Sequence, residues 1–359
     1  MSTQRARVAV VGTGWWSTFA HIPGLHANPD AELVALCDKR PDALQTAAAS
    51  VGGVKTYTDY QQMLAKETLD GVVVCVNHNA HYEVAKACLE TGIPVMLDKP
   101  MVLEAKHAHE LEQLAKTRGV ELIIGYPWHY TDVTRRARDI IQSGELGPIQ
   151  YVSSLFTSMV IEFYRGNDAA YGRHFNYPIT GPGNAYANPK LSGGGQGHLQ
   201  VTHSAGSMFF VTGLQADTVT SFMENFDVAV DVADAIAVRF KPVNGKPSIG
   251  VLGSTGNLGV GDPGIFEVQV YCENGWLKLE QIQSTLYIHK TDGTERRYGP
   301  LPEADRYPRF APSQNLVEVI LGKGKNQSPA DVGVRVVELL DAAYRSAAAD
   351  GKPFRIADL

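Results

Sequence analysis

Residues 7 to 17 read RVAVVGTGWWS, a short apolar run that ends in a glycine turn. A continuous apolar run of strand length fits a strand buried on both faces, as in a parallel sheet. The turn matches G-x-G-x-x-G through Gly12 and Gly14, with Ser17 where the third glycine would stand. Gly12 supplies the tight turn, and Gly14 lets backbone N–H groups approach a pyrophosphate at a helix N-terminus. Ser17 is small enough to keep helix and strand close. Trp15 and Trp16 lie inside the turn and count with it as cofactor-binding candidates.

Beyond the turn the apolar run recurs as ELVALCD (32–38), GVVVCVN (71–77), PVMLD (94–98) and ELIIGY (121–126). Amphipathic stretches after Trp15 and from Pro41, Asn79 and Glu104 separate these runs. Such alternation predicts βαβ units, so residues 1–128 are expected to form an α/β Rossmann domain around a doubly wound parallel sheet. Asp38, at the tip of the second strand, can accept hydrogen bonds from adenosine ribose hydroxyls and would repel a 2′-phosphate. NAD is therefore favoured over NADP. Lys39 and Arg40 act against that preference if they turn towards the phosphate.

A chain of 359 residues exceeds the size of one hydrophobic core, so a second domain is expected. With 44% hydrophobic and 19% charged residues the composition is that of a soluble globular protein. A net charge of −6 gives no sign of a nucleic-acid surface, which needs clustered Lys and Arg. No run approaches the ~20 apolar residues of a membrane span, and RARVAVVG leads into a turn rather than a signal-peptide cleavage site. These features point to a cytoplasmic protein with small-molecule partners, with no nucleic acid or membrane among them. Cys37, Cys75, Cys88 and Cys272 form no CxxC pair and read as buried free thiols; no metal site is expected.

From Gly144 the texture becomes β-rich: QYVSSLFTSMVI, ADTVTSFMENF, DAIAVRFKP, KPSIGVLGSTG, FEVQVYCENGWLKLEQ and STLYIHKT. Turn residues link these segments, which predicts an α+β domain over 129–359 built on a mainly antiparallel open sheet. A closing helix, about 328–350, is expected to pack back towards the first domain. Residues 163–195 form a long Gly, Asn, Pro and Tyr-rich connection of the kind that usually carries function. Its Tyr164, Arg165, Tyr171, Arg173, His174 and Tyr186 are cleft candidates. Gln196 to Thr212 is compatible with a helix. At about 100° per residue, Gln196, Leu199 and Gln200 lie about 20°, 40° and 60° from His203, so one stripe would point Gln196, Gln200 and His203 at a substrate.

Four further motifs carry a family resemblance: Asp98-Lys99-Pro100, Val76-Asn77-His78-Asn79-Ala80-His81, Gly193-Gly194-Gly195 followed by His203, and the ending SPADVGVRVVELLDAAYRSAAADGKPFRI. In these the sequence resembles, nearly end to end, the Gfo/Idh/MocA family of nicotinamide-dependent oxidoreductases. Asp98, Lys99 and Pro100 fill that family's E-K-P. Only His81 survives of T-P-x-x-x-H. In G-G-G-x-x-x-D-x-G-x-H, Leu199 stands at the Asp and Val201 at the last glycine. The resemblance implies that Val76, Asn77, His81, Asp98 and Lys99 line the cofactor, that Lys99 and His203 are catalytic, and that the protein is a homodimer or homotetramer.

The residues also speak for themselves. Lys99 places an ammonium at the carboxyl edge of the sheet, where burial should lower its pKa and let it orient or deprotonate a hydroxyl. Without a carboxylate at 199, nothing there fixes the tautomer of His203 or raises its pKa. In ELIIGYPWHY, His129 stands where the family more often carries Arg, which points to uncharged substrates and supplies a further proton carrier. Trp128 and Tyr130 could stack on a sugar face. The expected activity is hydride transfer between a secondary hydroxyl of a neutral sugar, glycoside or cyclic polyol and NAD. Two alternatives are an NAD-dependent glycoside cleavage through transient oxidation and elimination, and a non-catalytic sugar or redox sensor.

Overall fold

In the computed structural model, which describes residues 5–174, 177 and 181–359, the apolar runs of the first third become one sheet. Its strands are β1 (Ala6–Val11), β2 (Ala31–Cys37), β3 (Lys55–Tyr57), β4 (Gly71–Val74), β5 (Val95–Asp98) and β6 (Leu122–Gly125). The order is β3-β2-β1-β4-β5-β6 and every pair is parallel. Every residue of β4, β5 and β6 is buried, as helices on both faces require. The strand order reverses between β1 and β4, so a crevice opens at their carboxyl ends. The glycine turn, Cys75 and Lys99 all follow strand ends there. β3 was not foreseen, because KTY is short, partly exposed and carries no apolar run.

The second sheet comprises β7 (Ile149–Thr157), β8 (Ala216–Glu224), β9 (Ala233–Val243), β10 (Lys246–Thr255), β11 (Ile265–Cys272), β12 (Gly275–Glu280), β13 (Thr285–Lys290), β14 (Glu295–Tyr298) and β15 (Phe354–Arg355). Its order is β14-β13-β12-β11-β7-β10-β9-β8-β15, antiparallel except where β7 meets β10. Along β9 the residues Ile236, Val238 and Phe240 are buried while Ala235, Ala237 and Arg239 are exposed. This period of two marks a sheet covered on one face. Helices Asp132–Gln142, Thr202–Thr212 and Ala330–Ala348 cover it.

The end of the chain returns to the first sheet. Helix Ala311–Ile320 places Leu316 and Val317 in one apolar cluster with Val8, Val10 and Met96. Helix Ala330–Ala348 packs on both β8 and the helix Ala105–Arg118, and Asp341 Oδ2 accepts the Ala105 N–H at 2.9 Å. That carboxylate satisfies one of the unpaired donors at the N-terminus of Ala105–Arg118. Among the described residues no helix is long and apolar enough to cross a membrane.

Candidate active site

At Gly12, φ is +98°, and an added Cβ would lie 2.0 Å from the Cys75 carbonyl oxygen, so only glycine fits. Asp38 Oδ2 accepts from Thr13 N at 2.8 Å and Thr13 Oγ1 at 3.0 Å, while Oδ1 accepts from Arg40 N at 2.9 Å. The Arg40 guanidinium reaches both oxygens at 3.2 Å. Burial opposes the charge of Asp38, yet Arg40 and Thr13 hold its carboxyl below the usual range. A bare glycine turn with a carboxylate at the tip of the second strand fits a dinucleotide. Lys39 is exposed. Trp15 packs edge-on against Trp16 at 5.3 Å and Tyr177 at 5.9 Å, and its Nε1 donates to Tyr186 Oη at 3.2 Å. Trp16 lies 6.1 Å from the Tyr307 ring. Trp15 thus walls the turn on the side of the 163–195 segment, part of which lies outside the described residues, and Trp16 on the side of Tyr307.

Past β4, Val76 is half-buried and Asn77 exposed. His81 does not line the cofactor crevice as expected. It is fully buried, with Nδ1 2.7 Å from the Pro100 carbonyl and Nε2 3.1 Å from that of Val76. Both nitrogens are engaged by backbone, so His81 staples the strand ends together. Asp98 is buried with Oδ1 lacking a hydrogen-bond partner, 3.7 Å from His21 Nε2, and its Oδ2 is 3.9 Å from Cys75 Sγ. His21, Cys75 and Asp98 bring three donor atoms within 4.8 Å of one another. Nitrogen, sulfur and oxygen are donors zinc accepts, but the Lys99 charge alongside opposes a dication. Sequence reading missed the cluster because His21 sits in no motif.

Lys99 is buried, and its Nζ donates to the Leu199 carbonyl at 2.9 Å. Burial pushes its ammonium down from 10.5 to about 8, with Asp98 and Cys75 opposing the fall.

The single helix expected over 196–212 is two elements: a π-helical turn, Gly197–Val201, and the α-helix Thr202–Thr212. A π-turn winds less per residue, so the 100° stripe breaks. Gln196 accordingly does not face a substrate. It has no exposure, its Oε1 accepts from Tyr164 Oη at 2.8 Å, and its Nε2 donates to Ser254 Oγ at 2.7 Å. Leu199 joins the apolar cluster of Val160, Phe163, Tyr164 and Tyr171. Gln200 is half-buried.

Asp231 was not anticipated by sequence reading. Its Oδ1 accepts Gly195 N at 2.7 Å and Tyr344 Oη at 2.8 Å, Oδ2 accepts Gly197 N at 2.7 Å, and its carbonyl accepts Gln196 N at 2.8 Å. Three successive N–H groups at the head of the π-turn are thus satisfied by one residue. An added Cβ on Gly195 would lie 2.0 Å from the Asp231 carbonyl, and on Gly194 2.2 Å from Tyr344 Oη. Burial, then the charge of Asp231, pushes the carboxyl of the neighbouring Asp234 well above its ordinary value.

His203 is buried, its ring edge-on to Trp128 at 5.1 Å, with Nδ1 lacking a partner. Burial, with Lys99 and His129 adding, drives it well below the ordinary imidazole range, so it is neutral at pH 7. Trp128 is half-buried between His203, Phe266 at 4.8 Å and Tyr307 at 4.6 Å, and its Nε1 is unpartnered. His129 and Tyr130 depart from expectation. His129 stacks on Phe210 at 4.2 Å and 11°, with Nδ1 2.9 Å from Ser328 Oγ. Burial pushes it down to about 3, which removes it as a proton carrier near neutrality. Tyr130 Oη donates to Asn315 Oδ1 at 3.3 Å, towards the helix Ala311–Ile320 rather than the crevice. Lys99, His203 and Trp128 come together; Gln196, His129, Tyr130 and His81 are held by their own partners.

Residues 6–126 match the family model described as "Oxidoreductase family, NAD-binding Rossmann fold". The D-glucoside 3-dehydrogenase of Escherichia coli K12 is 32% identical over 154 residues, 43% of this chain and 44% of that one. The D-xylose 1-dehydrogenase [NADP(+)] of Haloarcula marismortui is 26% identical over 159 residues, 44% of each chain. The alignments thus span under half the length of these curated relatives. A solved oxidoreductase from Agrobacterium radiobacter, in complex with NAD+, L-tartaric acid and magnesium, matches with a TM-score of 0.78 over 99% of both chains. At 16% identity that likeness shows the fold.

Proposed function

We propose, from the match of residues 6–126 to the Gfo/Idh/MocA family model, that the protein is an oxidoreductase of that family transferring hydride between a secondary hydroxyl of a neutral sugar, glycoside or cyclic polyol and NAD. The observation that carries this reading is the meeting of Lys99, His203 and Trp128 at the carboxyl edge of β5. The sugar substrates in the names of the two curated relatives support it.

When bound, the nicotinamide supplies the hydride acceptor or donor. The chain supplies the rest. The Gly12–Gly14 turn and Asp38 hold the dinucleotide, Trp128 offers an aromatic face to a sugar ring, and Lys99 and His203 hold the reacting hydroxyl between a proton carrier and a neutral hydrogen-bonding ring. Asp38 favours NAD, and its partner Arg40 gives NADP a weaker foothold.

The test is a panel of neutral monosaccharides, glycosides and inositols with NAD and NADP, followed at the NADH absorbance band. Lys99→Ala and His203→Ala should each lower turnover by about 100-fold or more. Wild-type turnover in both variants would sink the site assignment.

A second reading is glycoside cleavage with a retained cofactor. It is favoured by the Trp15–Tyr186 hydrogen bond and by His78 Nδ1, 2.9 Å from the Ser192 carbonyl, which tie the 163–195 segment over the glycine turn. Glycoside consumption without net NADH would select it. The open face of the second sheet supports pairing of two copies of the chain.

A further inference from the structure

We propose that Tyr307, in a row with Trp16 and Trp128, forms a binding subsite beside the reacting centre that takes a planar apolar aglycone, so that the preferred substrate is an aryl glycoside rather than a free sugar. The inference rests on the hydride-transfer reading above and narrows its substrate class. Three observations carry it. The Tyr307 ring lies 4.6 Å from Trp128 and 6.1 Å from Trp16, both ring-contact distances. All three side chains are half-buried, so each keeps part of its surface open. Trp128 also meets His203 at 5.1 Å, so the row starts at the reacting centre and runs from there to the glycine turn.

The segment carrying Tyr307 is held from both domains. On the side of the second sheet, Arg306 Nε donates to the Leu301 carbonyl at 2.8 Å and Ser284 Oγ donates to the Arg306 carbonyl at 3.3 Å. On the side of the first, the Arg309 guanidinium lies 4.6 Å from the centre of the Phe19 ring. Tyr307 therefore stands in place before a ligand arrives, which lowers the ordering cost of binding. What surrounds the row decides its occupant. Among the described residues its further ring neighbours are Trp15 and Phe19 beside Trp16, and Phe156 and Phe266 beside Trp128. The polar side chains that the sequence offers to a sugar are engaged elsewhere: Gln196 with Tyr164 and Ser254, His129 with Ser328 and Tyr130 with Asn315. A second sugar ring brings hydroxyls that need partners, and leaving them unpaired is costly. A flat aromatic ring brings none and gains by stacking.

The test compares the methyl and phenyl glycosides of each sugar that the panel shows to be turned over, with a disaccharide of the same sugar as the third arm. kcat/KM should be higher for the phenyl glycoside by about tenfold or more, the gain expected from burying an aromatic ring against protein. Equal values for the methyl and phenyl glycosides overturn the subsite, and a disaccharide that gains as much as the phenyl glycoside gives the row to a second sugar and overturns the aglycone. Tyr307→Ala should lower kcat/KM for the phenyl glycoside by about tenfold more than for the methyl one, and Tyr307→Phe should restore the preference, because the ring and not the hydroxyl carries it. An equal loss for both glycosides together with weakened NAD binding assigns Tyr307 to the nicotinamide and overturns the proposal.

If Tyr307→Ala fails to fold, Tyr307→Leu keeps apolar bulk without a ring, and the wild-type comparison needs no variant. Calorimetric titration of the NAD-loaded protein with methyl and phenyl β-D-glucoside separates this inference from the reading beneath it. Tighter binding of the phenyl glucoside that Tyr307→Leu abolishes, with no sugar turned over, leaves the subsite standing while the hydride-transfer reading falls. Equal binding of the two glucosides overturns the subsite whether or not a sugar is turned over.

Discussion

Asp38 carries its own counter-ion. Its two oxygens are already engaged by Thr13 and by the Arg40 backbone and guanidinium, so a ribose hydroxyl must displace or share with Arg40. The Arg40 side chain is 56% exposed beside the turn, which makes its guanidinium the natural contact for a 2′-phosphate. Arg40→Ala should weaken NADP binding by about tenfold, or ~1.4 kcal/mol, and leave NAD binding equal or tighter. Quenching of the tryptophans beside the turn measures both; an equal loss for the two dinucleotides would show that Arg40 shapes the turn instead. The place of Asp38 was legible because a glycine turn and a strand end fix it. Its pairing with Arg40 was not, since that depends on a loop conformation no pattern encodes. The same holds over Pro127–Tyr130, where a short 3₁₀ turn sends Trp128 towards His203, His129 onto Phe210 and Tyr130 to Asn315. Their positions in the sequence were informative; their directions were not.

The strands of the first sheet other than β3 could be read from their apolar runs, because burial on both faces leaves little choice of residue. The stretch from Gln196 to Thr212 was harder. A wheel drawn at 100° per residue assumes an unbroken α-helix, and the π-turn violates it without any signal in GHLQV. Asp231 was invisible for another reason: it reaches the turn from the connection between β8 and β9, and only the folded chain brings them together. It accepts from Gly195, Gly197 and Tyr344 in a buried setting, where charge-assisted hydrogen bonds are strong and unpaired donors costly. Asp231→Ala should therefore lose about 2–4 kcal/mol of stability. Asp231→Asn should lose less and still misplace the turn, because one amide oxygen cannot serve donors that two oxygens serve now. Chemical denaturation gives the first quantity and kcat in folded protein the second. A stable, fully active Asp231→Asn would mean that Tyr344 and the glycines fix the turn unaided.

The two sheets are tied together by the end of the chain, which covers the first with Ala311–Ile320 and bridges to the second with Ala330–Ala348. This leaves one large surface of the second sheet without a helix among the described residues. Strand register places Phe222, Ala235, Gly253 and Leu155 in one row across it, Ile249 beside Tyr151 in a second and Ile265 beside Thr157 in a third. Phe222, Ile249 and Val251 are 59%, 54% and 40% exposed. An open sheet with these side chains on its outer face buries them most simply against a second copy related by a two-fold axis, since one patch then serves both subunits. Charge placed there should act on assembly and not on folding, because the residues point away from the covered face. Val251→Lys combined with Phe222→Lys is expected to convert a dimer, or a tetramer built from dimers, to smaller species in sedimentation velocity, with the far-ultraviolet circular dichroism unchanged. A wild-type protein that sediments as a monomer at tens of micromolar would remove the interface, and lysine variants that keep the native assembly would move it to another surface.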